Sequence, residues 1–134
     1  MKEEDKELLY IDICGRIPFG LIVSPIETDS SLLEPVRLYR GGYYENYEKK
    51  FFIVEKFGMA FTADELRPYL RTVEDMSKEE LLEYHRRCIC IHDGANHLWY
   101  DTPNSIDYLN RIHVDFRGLI PNGLAERATK EMYK

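Results

Sequence analysis

The apolar residues of this chain recur at about every second position up to Phe61 and at helical spacing beyond it. Any fold it adopts must therefore accommodate short strands first and helices afterwards. Leu9, Ile11 and Ile13 alternate with Tyr10, Asp12 and Cys14, the pattern of a half-buried strand. Gly15-Arg16 and Pro18 interrupt it. Further strand-like runs lie at 19–24, 36–40, 51–55 and 59–61, with a polar loop from Pro25 to Pro35 and a turn at Gly41-Gly42. Five short strands in this space predict an antiparallel sheet curled into a small SH3-like β-barrel.

After Phe61 the punctuation is that of helices. Thr62-Ala63-Asp64-Glu65 has the capping-box form, in which a hydroxyl and a carboxylate three residues apart satisfy orphan amides. Pro68 limits this helix to about one turn. Ser77-Lys78-Glu79-Glu80 is a second box, opening a helix that carries Leu81, Leu82, His85 and Cys88 and ends before or within 88–91. Asp93-Gly94 reads as a turn into 97–100. Thr102-Pro103 starts a last helix with Ile106, Leu109 and Ile112 on one face. The segment 116–123 has too many breakers for a long helix and too many apolar side chains for a free tail. It is expected to pack. The resulting expectation is one α+β domain over 1–134, strand-rich at 8–61 and helix-rich at 62–134, with two or three C-terminal-half helices packed on the sheet.

With 44% hydrophobic and 31% charged residues in 134, the chain has globular usage and the length of one domain. No apolar run approaches the roughly 18 residues of a membrane span, and the charged start, Met1 to Glu7, has no apolar stretch behind it. The odd set Cys14, Cys88 and Cys90 suits a reducing compartment better than a disulfide framework, so a cytoplasmic location is expected. A net charge of −6 opposes nucleic-acid binding, and Arg67, Arg71, Arg86 and Arg87 are interleaved with Glu65, Glu79, Glu80 and Glu83.

Four groups of residues could carry chemistry. Cys88, Cys90, His92 and His97 offer thiolate and imidazole, but no separated second ligand pair closes a zinc tetrahedron, so neither metal nor cofactor is expected. On a strand Cys88, Cys90 and His92 would share a face; at a helix end they would fan apart. A cysteine nucleophile (Cys14, Cys88 or Cys90) would need His85, His92, His97 or His113 within hydrogen-bond reach. Asp107, His113, Asp115 and Arg117 could bind an anion or move a proton, although capping and salt bridges at a helix end explain them more simply. Tyr39, Tyr43, Tyr44 and Tyr47, with Phe51 and Phe52, either form a binding edge around the glycine turn or cover the open face of a barrel.

The segments Leu66-Arg67-Pro68-Tyr69-Leu70-Arg71, Met76-Ser77-Lys78-Glu79-Glu80, Thr102-Pro103-Asn104-Ser105-Ile106-Asp107-Tyr108-Leu109-Asn110, Phe116-Arg117-Gly118-Leu119-Ile120 and Gly123-Leu124-Ala125 together carry a resemblance. They resemble a family of small proteins, without assigned activity, from the phages, prophages and mobile elements of gut bacteria. Weaker similarity lies at Asp12-Ile13-Cys14 and Pro18-Phe19-Gly20; the stretch from Cys88 to Trp99 lies outside it. The resemblance implies a small cytoplasmic accessory protein and brings no catalytic residue.

No phosphate loop, nucleophile elbow or His-Glu-x-x-His pair is present, so a non-enzymatic protein-binding role leads, with the partner's identity and the oligomeric state left open. A small-molecule or nucleotide binder is the alternative, and a cysteine/histidine hydrolase the third. A deep polar pocket would favour the second, a thiol–imidazole pair the third, and an exposed aromatic patch without either the first.

Overall fold

In the computed structural model the chain opens on a helix, α1 (Glu3–Arg16), where alternation predicted a strand. The structure describes residues 1–27, 31–38, 43–46 and 49–134, with the backbone alone at 43–46, 49, 50 and 55. The buried positions of α1 are Leu9, Asp12, Ile13 and Arg16, a three- and four-residue recurrence, whereas Ile11 is 45% exposed. The apparent period of two arose because an outward isoleucine happens to sit between two inward residues. Glu3, Glu4 and Asp5 in the first turn and Arg16 in the last match the helix dipole.

A 3-10 turn, Ile17–Phe19, ends at Gly20, whose φ of 72° lies in the left-handed region that glycine reaches without strain. The strands come next, as β1 (Ile22–Pro25), β2 (Val36–Arg37), β3 (Tyr43–Asn46), β4 (Lys49–Val54), β5 (Met59–Thr62) and β6 (Leu66–Leu70). Then come α2 (Lys78–Arg87), β7 (Ile89–Asp93), β8 (Asn96–Tyr100), α3 (Pro103–Arg111) and β9 (Glu126–Arg127). The chain is α+β, but the expected SH3-like barrel does not form. Among the described residues the strands lie in three sheets, ordered β2-β1-β6-β9, β3-β4-β5 and β7-β8, none closed on itself.

The reason is that β1 pairs with a strand of the second half. Val23 faces Pro68 and Ser24 faces Arg67 in an antiparallel ladder, and β9 adds in parallel on the far edge of β6 at Tyr69 and Leu70. Pro68 is expected from sequence to limit the Thr62 helix to about one turn, and the strand that follows is not anticipated. Pro68 sits on the buried face between Leu66 and Leu70. The helices are also split between the N-terminus and the C-terminal half, instead of all coming from the latter. One hydrophobic cluster joins α1 (Leu9, Ile13) to β1 (Val23), β4 (Phe52), β6 (Leu66, Leu70) and the segment after α3, where Leu119 is fully buried.

A charged triad is enclosed beside this cluster. Asp12 and Arg16 are both fully buried. The Asp12 carboxylate accepts from Arg16 Nε at 2.9 Å, Arg16 Nη2 at 3.1 Å and Arg117 Nη1 at 2.6 Å. Arg16 also donates to the Val114 carbonyl at 2.8 Å and the Leu109 carbonyl at 3.4 Å, joining α1 to the end of α3. Removing one partner of such a pair leaves an uncompensated buried charge. Asp12→Ala is therefore expected to cost about 3 to 5 kcal/mol in chemical denaturation. On α3 the expected stripe is buried at Leu109, 4% exposed, and half-buried at Ile106 and Ile112. Leu109→Ala should cost about 2 to 5 kcal/mol by the same measurement; a loss near zero would mean that this face is not packed.

Candidate functional site

The segment from α2 to β8 differs from the rest of the fold because none of its residues is buried. α2 begins as its capping box requires, Glu80 N–H donating to Ser77 Oγ at 3.1 Å and Ser77 N–H to Glu80 Oε1 at 2.9 Å. The helix is mounted by polar contacts. Arg71, at the end of β6, donates to both oxygens of Glu80 at 2.7 and 2.8 Å and to the carbonyls of Asp75 and Ile112. That guanidinium holds the Glu80 carboxyl down to about 2. Arg87 reaches Glu83 and Asn104 and lies over the Tyr108 ring, while Thr102 Oγ1 donates to the Arg87 carbonyl at 2.7 Å. Tyr84 donates to Asp101 at 2.6 Å, and burial followed by this carboxylate pushes its phenol pKa upward.

α2 stops at Cys88, and β7 and β8 form a two-stranded ribbon beyond it. The expected Asp93-Gly94 turn is present: Gly94 has φ 61°, the left-handed value that a tight hairpin needs at its first central position. Register then sets two faces. His92 is opposite His97 and Cys90 opposite Trp99 on one; Ile89 is opposite Tyr100 and Ile91 opposite Leu98 on the other. On the first face the His85 ring of α2 stacks on Trp99, centroids 4.2 Å apart and planes at 9°. The second face carries Ile89, Ile91, Leu98 and Tyr100, each between 40 and 56% exposed.

Cys90, His92 and His97 are brought together by this register. Cys90 Sγ lies 3.8 Å from His97 Nδ1, the two imidazoles meet edge to face at 4.5 Å, and one donor atom from each residue lies within 4.8 Å of the others. Cys88 does not join them. It caps α2, with its N–H directed to the Tyr84 and His85 carbonyls. Spacing along the chain concealed the grouping because hairpin pairing, and not a knuckle, makes the three residues neighbours.

The other expected residues have structural duties. Asp107 pairs with Arg111 on the surface, and Asp115 accepts the Leu119 and Ile120 amides at 3.0 and 2.9 Å, capping the next turn. Arg117 is bound to Asp12. His113 is buried at φ 59°, its Nε2 donating to the Phe19 carbonyl at 3.0 Å and its ring stacked on Tyr133, while Nδ1 has no hydrogen-bond partner among the described residues. Each of the four thus has a partner within the fold. Tyr39 and Tyr47 lie outside the described residues, and for Tyr43 and Tyr44 only the backbone of β3 is described. Cys14 is half-buried against the core on α1. An open cleft of about 590 Å³ is lined by Arg71, Asp75, Glu80 and Tyr133, but Arg71 is engaged by Glu80 and Asp75 by Arg127.

Comparison with protein-family models, curated proteins and solved structures returns no match. Sequence reasoning missed Asp12, Arg16 and Arg71, although the i,i+4 acid and arginine on the apolar stripe of α1 were a readable signal.

His113 makes stability depend on pH. Burial first, and then the positive charges of Arg16, Arg37 and Arg71, push it down to about 4 against the Phe19 hydrogen bond. Between about pH 4 and 6.5 the unfolded chain binds the extra proton, so this contribution is present at neutral pH and is lost as pH falls. Lowering pH from 7 to 5 should remove about 2 kcal/mol of unfolding free energy. The depressed Asp75 and Glu80 carboxyls respond below about pH 4.5, outside the range from pH 7 to 5. In His113→Asn, whose side chain tolerates a positive φ, the slope between pH 5 and 7 should flatten; an unchanged slope would assign it elsewhere.

Proposed function

We propose that this chain is a non-enzymatic protein-binding module that docks a partner protein on the α2–β7–β8 segment. One observation supports the reading. Among the described residues, four exposed large hydrophobic side chains, Ile89, Ile91, Leu98 and Tyr100, lie as cross-strand neighbours on one face of the ribbon. Contiguous exposed apolar surface marks a place where something else binds. Residues 88–101 carry Asp93 and Asp101 and no lysine or arginine, on a chain of net charge −6. The partner suited to this surface presents an apolar patch rimmed by basic residues. The resemblance to accessory proteins of bacterial mobile elements suggests a bacterial cytoplasm as the setting. Among the described residues no helix is long and apolar enough to cross a membrane.

The thiol–imidazole approach of Cys90 and His97 is the observation that would favour a hydrolase. A nucleophile also needs a water-excluding pocket and donors for the developing oxyanion. His92, His97 and Trp99 are exposed, and neither described cleft is lined by them. The cleft at Arg71 gives a small-molecule reading less support, because Arg71 and Asp75 are already held by Glu80 and Arg127.

The test is the double variant Ile91→Asp, Leu98→Asp on the outer face of the ribbon. Exposed substitutions of this kind should leave unfolding free energy within about 0.5 kcal/mol of the parent. Quantitative capture from bacterial lysate should lose a partner that the parent retains, and that purified partner should bind the variant at least tenfold more weakly, about 1.4 kcal/mol. A variant that melts some ten degrees earlier would make the patch part of the fold. Unchanged capture, or a parent dimer that the variant dissolves, would overturn heterologous docking.

A further inference from the structure

The geometry points to a zinc site on the opposite face of the ribbon: we propose that Cys90, His92 and His97 bind one Zn²⁺ ion. The site goes beyond the docking surface and does not depend on it, since it uses the other side of β7 and β8.

Antiparallel pairing places the two histidines directly across from each other, and the period of two puts Cys90 on the same face, one step along β7. One donor atom from each residue lies within 4.8 Å of the other two, and the sulfur is already 3.8 Å from His97 Nδ1. Tetrahedral zinc, with Zn–S about 2.3 Å and Zn–N about 2.0 to 2.1 Å, requires ligand separations of about 3.4 to 3.6 Å. Closing that difference asks for side-chain rotation at the exposed His92 and His97 and the half-buried Cys90. One thiolate and two imidazoles suit zinc better than calcium or magnesium, which take oxygen ligands. Binding replaces the thiol proton, which passes to solvent, with a Zn–S bond. The fourth position stays open to water. Because the ligands come from both strands, the ion would clip a ribbon that contributes nothing to the buried core.

Full-length protein prepared without chelator, then titrated with Zn²⁺ alone and freed of excess metal by gel filtration, should retain about one zinc per chain. Cobalt added in place of zinc should give a thiolate-to-metal charge-transfer band, absent in Cys90→Ser and kept in Cys88→Ser. His92→Ala and His97→Ala should each weaken zinc at least tenfold in competition with a chelating dye. Zinc should also slow amide exchange across residues 89–100 by about tenfold. Circular dichroism will show whether each variant is folded, and since none of the four positions is buried a folded variant is the expected case. No retained zinc, or retention unchanged in Cys90→Ser, would overturn the site, as would loss in Cys88→Ser equal to that in Cys90→Ser. Each of these outcomes leaves the capture experiment on Ile91 and Leu98 unaffected, so the two readings fail separately.

Discussion

The enclosed carboxylate of Asp12 is the constraint on which the remaining architecture depends. A buried charge is tolerated only when paired and hydrogen-bonded, and here two guanidiniums from distant parts of the chain supply the pairing. Arg16 directs its other donors to the Leu109 and Val114 carbonyls, fixing the C-terminal end of α3 against α1. Arg117 fixes the segment beyond, and the Phe116 ring lies against both cations. Once α3 is held, its N-terminal cap, Thr102, donates to the Arg87 carbonyl, and Asn104 accepts from the Arg87 side chain. These contacts, together with Arg71 on Glu80, set the direction in which α2 and the ribbon leave the body.

The body and the ribbon are built by different physics. α1, β1, β4 and β6 share an apolar cluster whose burial drives folding. The α2–β8 segment is attached through arginines, a capped helix start and a tyrosine–aspartate bond, contacts that are each worth little when partly solvated. A two-stranded ribbon is marginal by itself. The segment therefore belongs to the low-stability end of the fold, where binding surfaces are commonly found. A docked partner on Ile91 and Leu98, or an ion on His92 and His97, would supply the stabilisation that burial does not.

Several local features were readable before any coordinates. The capping boxes at Thr62 and Ser77, the Thr102-Pro103 start and the Asp93-Gly94 turn all appear where the residues indicate, because each is settled between atoms a few positions apart. The packed 116–123 segment was also legible from its apolar content. The first strand was misread because Ile11 faces solvent, and six residues of alternation cannot outweigh a four-residue stripe continued to Arg16. β6 was not anticipated, because Pro68 read only as the end of a short helix and its place in the sheet comes from its neighbours in space.

What the sequence determined alone is local: where helices begin, where the chain turns, which side chains are apolar, and that both strands and helices must coexist. Tertiary structure decided which strands pair, why β1 joins β6 in place of closing a barrel, and which apolar residues stay outside. It also decided that Cys90 and His97, seven positions apart, face the same point while Cys88 does not. Pairing register and burial depend on contacts between residues far apart along the chain, and no local pattern of spacing contains them.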